Sequence, residues 1–560
     1  MPIIFLTHRS PLNILFSTKR NFLSIFSIKE ILGGTLMATR RQVLVFFQII
    51  ALLMAWGIIS SCHHKYTGNA VISVDQFTAE LKKDGFEVAH GYFQMWRIED
   101  CPKFFDVMGT CYFNNPTAPY VMSVLPFWPD EYIDPATKNA FGSTKEGYST
   151  SFRFDPNEAI VIFGFLPPKA VYFGLQSYLF TRKDAYKTDN DTYHFINRIG
   201  AKDVFFHTVP GRPAQDRILT FDSLSDSNNN VVIERRSGGS FGQFRYFIIT
   251  PDRYMDQKIR RILHNLSVAD QDIFTESIPA NMRIGLGEDA DDFVSGIRYS
   301  LPEDGGKEGT PSDIWRNNPS LSILRIRASQ PYPPKPYPAW EDNSPEPRKA
   351  VSEAYLKDDL NQLVQKVSQA WGQPCVDTTG CSDKARSFID TQSSPFNLVG
   401  PLCDNIGMDC LADTQDATYQ FSGGYGFDNR EVYAVIGTLG TATGNASYVS
   451  LGVNNFRLRL GAENVDGSKL EGSAKPEWYT GVNNLDKLYV YYFTRNCEDE
   501  KVRALTHGFC LSVKDTELVI PPGDKASLVE RDYMAPGTQR GPDSKLTLPS
   551  MVLILQKPAQ

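Results

Sequence analysis

Short apolar runs rich in Val, Ile, Tyr and Phe, broken every few residues by Gly, Pro, Asn and Asp, dominate the chain from about residue 70 onward. This punctuation predicts antiparallel sheet. In the first half, strands are expected at 120–127, 159–165, 170–180, 230–234, 243–250, 297–301 and 321–326. Their β-branched and aromatic side chains suit a pleated, half-buried surface. Phe244-Arg245-Tyr246-Phe247-Ile248-Ile249 is apolar enough for a sheet covered on both sides. From about residue 418 a second run of strands is expected, at 431–439, 447–453, 456–460, 488–494, 518–521 and 551–555.

Helical spacing occurs in few places. Ser73-Val74-Asp75-Gln76 has capping-box spacing, with Val74, Phe77 and Leu81 following at helical intervals and Gly85 as the stop. In a second helix Thr250 is the expected cap and Pro251 the first residue, with Met255, Ile259, Ile262, Leu263 and Leu266 forming its apolar stripe. A third is expected to start at Ser344-Pro345, bury Val351, Tyr355, Leu360, Leu363, Val364, Val367 and Trp371, and end at Gly372. Before it, the proline-rich run 331–338 reads as an extended polyproline connector or strap.

These elements predict a mainly β fold: two antiparallel β-sandwich-like domains with a few helices and a disulfide-crosslinked connector. The expected organisation is an N-terminal β-rich domain over 62–328, a Pro-rich linker over 329–347, a helix with a disulfide-rich connector over 348–417, and an all-β domain over 418–560.

The nine cysteines are one isolated residue and four close pairs: Cys101 with Cys111, Cys375 with Cys381, Cys403 with Cys410, and Cys497 with Cys510. Structural zinc ligands usually stand closer within a pair, so disulfides are expected. For the middle four, Cys375 with Cys381 and Cys403 with Cys410 is the simplest of three pairings. Cys497 and Cys510 are expected to close a hairpin loop.

The isolated Cys62 follows a basic segment, Met37-Ala38-Thr39-Arg40-Arg41, an apolar stretch over 43–59 and Ser60-Ser61. This arrangement resembles a bacterial lipoprotein signal. The resemblance implies a signal peptide over 37–61, acylation of Cys62, and a chain held at a membrane by lipid in an extracytoplasmic compartment. With His63 rather than aspartate after the cysteine, it implies the outer membrane if the cell is Gram-negative. As a transmembrane anchor the apolar stretch falls short of about 20 residues. Residues 1–36 are expected to be untranslated or non-structural, with Met37 as the start, because codons for Leu32-Gly33-Gly34 can contain a ribosome-binding sequence.

With 560 residues and a formal net charge of −7, the chain lacks the basic face that nucleic-acid binding requires. Nucleophile-elbow, zinc-helix and P-loop patterns are absent. Ser237-Gly238-Gly239-Ser240-Phe241-Gly242 reads as a hairpin turn. Glu288-Asp289-Ala290-Asp291-Asp292 and Asp189-Asn190-Asp191 read as acidic turns and not calcium loops. No cofactor or metal is expected.

The most suggestive polar group is Arg495, His507, Glu530 and Arg531, beside or after the Cys497/Cys510 loop, with His507 a candidate base and the arginines candidate carboxylate binders. Two functions are compatible with these readings. One is a ligand- or partner-binding lipoprotein of the cell envelope, with a glycan or an envelope protein as partner and Trp478 and Tyr479 as stacking platforms. The other is a secreted hydrolase or lyase acting on an extracellular polymer or lipid.

Overall fold

Strands that alternate between two buried faces build the first half of the chain into a sheet that curls into a half-barrel. The computed structural model describes residues 71–209, 216–340, 347–374 and 384–558. Met37, Cys62 and the Ser344-Pro345 helix start lie outside the described residues. Cys375 and Cys381 lie outside them too, so the disulfide expected between Cys375 and Cys381 is not among the bridges described below.

The strands of this sheet are β1 (Phe86–Met95), β2 (Tyr120–Pro126), β3 (Tyr148–Ser149), β4 (Glu158–Phe165), β5 (Ala170–Lys183), β6 (Arg217–Ser223), β7 (Asn228–Asn229), β8 (Phe244–Thr250), β9 (Ile273–Ser277), β10 (Asp292–Pro302) and β11 (Leu321–Ala328). Their order is β6-β5-β10-β2-β1-β11-β4-β8-β9, with β3 on β2 and β7 on β5. Pairing is antiparallel except between β8 and β9, which are joined by the helix Arg253–Asn265. In β4 and β8, Ile160, Ile162, Phe247 and Ile249 point into one core, while Val161, Phe163, Tyr246 and Ile248 point into another beneath the helices Val74–Lys83 and Arg253–Asn265. The apolar run 244–249 is thus buried on both faces, as its composition predicts.

The second half supplies β12 (Ala385–Ser387), β13 (Ile389–Asp390), β14 (Ala417–Gly426), β15 (Glu431–Thr438), β16 (Tyr448–Asn455), β17 (Leu460–Asp466), β18 (Leu488–Thr494), β19 (Cys510–Ser512), β20 (Lys525–Tyr533) and β21 (Met551–Gln556). They form two five-stranded sheets, β12-β21-β15-β18-β19 and β13-β14-β20-β16-β17. Tyr433, Val435 and Tyr489 of the first share a core with Leu451, Val453 and Leu528 of the second. The helix Lys357–Ala370 covers the other face of β15 and β18 through Leu360, Leu363, Val364 and Val367. The chain is mainly β with about 23% helix. A division into two sandwich domains does not follow from this arrangement.

Several local expectations are corrected. The segment 230–234 is helical, within Asn230–Ser237, because the Asn229 side chain accepts from Val232 N–H and Gly238 closes the helix in the left-handed region. Gly238 therefore belongs to a helix end, and the loop around it leads from helix to strand rather than forming a hairpin. Thr250 ends β8 and Asp252 caps the following helix, so Pro251 lies before the cap. The expected strand at 456–460 is mostly the turn between β16 and β17, and 518–521 forms no strand. Val351 and Tyr355 are exposed, and the third helix begins at Lys357. Cys497 and Cys510 are joined, but β18 and β19 are parallel with the helix Glu500–Thr506 between them, which is not a hairpin.

The proline-rich run straps onto the large sheet: Tyr332 N–H donates to Asn157 Oδ1 and Lys335 N–H to Asp252 Oδ1. Cys101–Cys111 and Cys403–Cys410 are also disulfides. Among the described residues no helix is long and apolar enough to cross a membrane.

Candidate functional site

Where the half-barrel meets the sheet carrying β20, the period-two alternation of two strands brings two arginines to one place. On β10, Phe293, Ile297 and Tyr299 enter the half-barrel core, so Arg298 points the other way. On β20, Ala526 and Leu528 enter the core between the two five-stranded sheets, so Val529, Arg531 and Tyr533 face the junction. Arg298 and Arg531 together line a cavity of about 60 Å³ whose walls are otherwise largely aromatic and aliphatic, including Phe113, Phe205, Leu398 and Tyr419.

Both guanidiniums are buried, Arg298 at 7% exposure and Arg531 at 4%. Arg298 Nη2 donates to the Tyr178 hydroxyl (2.6 Å) and to the Ala412 carbonyl, and its guanidinium lies 5.4 Å from the Tyr120 ring centroid. Arg531 Nη2 donates to the Phe113 carbonyl (2.7 Å), and its Nη1 is buried without a hydrogen-bond partner among the described residues. Among the described residues no carboxylate forms an ion pair with either. Burial disfavours the Arg298 charge, but the oxygens of Tyr178 and Tyr120 raise its pKa on balance.

The two acceptor carbonyls are held in the same way. Cys111 is followed by Tyr112 (φ 64°) and Phe113 (φ 43°), and Cys410 by Leu411 (φ 54°) and Ala412 (φ 56°). In each case a disulfide half-cystine precedes two left-handed residues, and the second residue's carbonyl receives an arginine. Left-handed backbone costs a non-glycine residue roughly 1–2 kcal/mol, and such strain concentrates at ligand sites. The strand pair β16–β17 docks against the first of these segments, with Phe113 N–H donating to Arg459 O and Gly461 N–H to Asn114 Oδ1. Gly461 must be glycine here, since a Cβ would lie 1.9 Å from the Asn114 carbonyl oxygen.

Burial pushes the Tyr419 hydroxyl up to about 12, with Arg298 and Arg531 both restraining the rise. It raises Tyr178 and Tyr533 further. These phenols are therefore neutral and supply no full counter-charge to either guanidinium. The one acidic side chain lining the cavity among the described residues is Asp413, which accepts from Ser223 N–H and Oγ–H (2.8 Å each), Gly400 N–H (3.1 Å) and Gln415 Nε2 (3.1 Å). Burial raises its pKa, with those hydrogen bonds and Arg298 opposing.

The four residues singled out from the sequence are not brought together: no hydrogen bond or ion pair joins any two of them. His507 sits in a left-handed helix cap and stacks on Trp478 with ring centroids 4.1 Å apart, and partial burial lowers its pKa. Arg495 donates to the carbonyls of Lys514 and Phe427. Glu530 faces the inner core, accepts from the Tyr489 hydroxyl (2.9 Å) and is pushed up by burial. Arg531, one residue on, faces the opposite side of the strand and reaches the cavity. Tyr479 is buried and bonded to Tyr492.

Six of the eight cysteines expected to pair do so as their spacing predicts, and two of those bridges flank the cavity. Cys375 and Cys381, the remaining two, fall outside the described residues.

Sequence reasoning missed Arg298 and Asp413. The available signal for Arg298 was a cation inside the apolar run Ile297-Arg298-Tyr299-Ser300-Leu301. Asp222, Cys403 and Cys410 come close enough to share a metal ion, but both sulfurs are committed to the disulfide. The carboxyl of Asp222 is buried with no hydrogen-bond partner for either oxygen among the described residues, and its pKa is raised by burial and by Asp404.

No protein-family model matches the chain, and no curated protein matches it. Among solved structures it is similar to the VPA0106 protein of Vibrio parahaemolyticus, at 10% identity and a TM-score of 0.31, over 82% of this chain and 96% of that one. It is also similar to an uncharacterized protein from Burkholderia cenocepacia, at 10% identity and a TM-score of 0.33, over 86% of this chain and 85% of that one.

Proposed function

We propose that the chain is a lipid-anchored protein of the bacterial cell envelope that binds a small ligand in the junction cavity and carries out no chemistry on it. The observation that carries the reading is the pair of buried guanidiniums, Arg298 and Arg531, that line a largely aromatic and aliphatic space with no ion pair among the described residues. A buried donor without a partner costs about 1–3 kcal/mol. Filling the space with apolar side chains would leave that cost in place, and binding a ligand that carries acceptor atoms offsets it.

The size of the cavity bears on ligand class. At about 60 Å³ it is well below the roughly 300 Å³ of a site for a drug-sized molecule, which argues for a few heavy atoms rather than a sugar chain. Glycan stacking at Trp478 and Tyr479 has less support, because His507 occupies one face of Trp478 and Tyr479 is buried. A secreted hydrolase or lyase also has less support, since the candidate base His507 is stacked on Trp478 and makes no hydrogen bond to a nucleophile or carboxylate among the described residues, Glu477 acting on it only through space.

Mass spectrometry of the protein purified from its own membrane fraction tests both parts. An acylated Cys62 at the amino terminus and a small non-covalent adduct lost on denaturation are expected. An unacylated amino terminus would remove the lipoprotein, and the absence of any adduct, together with failure to bind small molecules after dialysis, would remove the binding reading.

A further inference from the structure

Resting on the binding reading above, we infer that the junction cavity is an anion site and that its ligand is a small monocarboxylate with a compact apolar body, held between Arg298 and Arg531. Charge is the first argument. Two guanidiniums line the cavity without an ion pair among the described residues, and Asp413 supplies at most one negative charge, already spread over four donors. The balance is at least one positive charge, in surroundings where an isolated buried charge is costly unless paired. A monoanion offsets that charge, and a phosphate dianion loses more hydration on entering so apolar a space.

Donor geometry is the second argument. Arg298 makes no hydrogen bond through Nε or Nη1 to the described residues and Arg531 none through Nε, while both Nη2 atoms are held by backbone carbonyls. Each guanidinium can give a carboxylate oxygen a single charge-assisted hydrogen bond, since on Arg298 both Nη2 hydrogens are engaged and the Nε and Nη1 N–H groups point apart. The Tyr419 and Tyr533 hydroxyls make no hydrogen bond in the described structure and stay protonated, so they add two neutral donors beside the cations. Phe113, Phe205 and Leu398 offer apolar surface for the rest of the ligand.

Both arginines are aimed by carbonyls from strained segments braced by disulfides. The donors are therefore fixed before a ligand arrives, and little ordering entropy remains to oppose binding.

The test is calorimetric titration of the dialysed mature protein with isobutyrate, its neutral isostere isobutyramide, and inorganic phosphate. Isobutyrate is expected to bind, isobutyramide at least ten-fold more weakly and phosphate more weakly still. Arg531→Gln and Arg298→Gln are each expected to lower isobutyrate affinity ten-fold or more. Tyr419→Phe, which keeps the ring and removes one donor, is expected to lower it about three-fold and serves if an arginine variant fails to fold. Equal binding of isobutyramide would overturn the anion assignment and leave the small-ligand reading intact. Tighter binding of phosphate would overturn the carboxylate. Failure of all three probes, with no adduct on the native protein, would overturn both the inference and the reading beneath it.

Discussion

The arginines buried in the half-barrel and the arginines buried at the junction have opposite surroundings. Arg325 is fully buried between two carboxylates, with Glu131 at 2.6 Å and Glu158 on its other side, and it also donates to the Pro126 and Arg153 carbonyls. Arg153 pairs with Asp292 at 2.9 Å and Arg182 with Asp291 at 2.6 Å. In these places the chain supplies the anions itself, and the networks hold β4, β10 and β11 to the loops around them. At the junction, comparable desolvation surrounds Arg298 and Arg531, but the acceptors are two carbonyls and a phenol. A cation buried with its counter-ion serves the fold. A cation buried without one, beside a cavity, leaves a place for something from outside.

The largest expected effect of breaking this contrast is at Arg325. Arg325→Met would leave Glu131 and Glu158 buried together without a cation, and removing one partner from such a set typically costs about 3–5 kcal/mol. Denaturant unfolding should show a loss of that size, and the triple variant Arg325→Met, Glu131→Gln, Glu158→Gln should recover most of it. A loss under about 1 kcal/mol in the single variant would mean that the network does not act as a closed unit.

A buried carboxyl with no cation at all sharpens the contrast. Glu276 accepts from Ser177 N–H and Oγ–H, and burial pushes it up to about 7 against the pull of those hydrogen bonds. Because its native pKa lies above the unfolded value near 4.5, the native state binds more protons than the unfolded one. Its contribution to stability is therefore full below pH about 4.5 and is lost as the pH rises toward about 7, on the order of 3 kcal/mol in all. Glu276→Gln should flatten the wild-type fall in stability across that interval, as read by thermal unfolding at a series of pH values. Parallel curves for the two proteins would show that Glu276 titrates normally.

Legibility in the sequence follows the same division. β8 can be read because 244–249 is apolar on both faces, and the helix Val74–Lys83 because Ser73 caps it as its spacing indicates. β20 cannot, because Lys525-Ala526-Ser527-Leu528-Val529-Glu530-Arg531-Asp532-Tyr533 carries charge at positions that turn out to be buried on both faces. Tertiary contacts, not local pattern, make it a central strand. Arg531 stands out in the sequence, but beside His507 and Arg495, the neighbours that sequence proximity suggests. Its actual neighbours, Phe113 and the Cys410–Asp413 segment, are brought in by sheet packing, which leaves no local trace.

A smaller effect is expected at the disulfide that braces the Ala412 carbonyl. Cys403 and Cys410 are separated by 7 residues, and closing so short a loop removes roughly 2 kcal/mol of unfolded-chain freedom. Replacing both by serine, with Cys375 and Cys381 left in place, should lower stability by about that amount. The junction should respond more than the half-barrel, with hydrogen exchange rising in the 410–413 segment and not in β4 or β11. Uniform loosening would show that the bridge supports the whole chain and not the Arg298 acceptor.

The smallest effect, and the one that bears most directly on the comparison, belongs to Arg531. In protein freed of small anions, Arg531→Met gives up the hydrogen bond to the Phe113 carbonyl, worth about 1 kcal/mol, and relieves the desolvation of a cation without a counter-ion. The two changes oppose each other, so stability should stay within about 1 kcal/mol of wild type despite the loss of a large buried side chain's charge. Glu530→Gln, on the same strand but facing the inner core, is the matched control for disturbing β20. If Arg531→Met costs as much as Arg325→Met in unfolding measurements made side by side, the junction cation is already compensated within the fold. The two sets of arginines would then be one kind, and the cavity would lose its claim to an external anion.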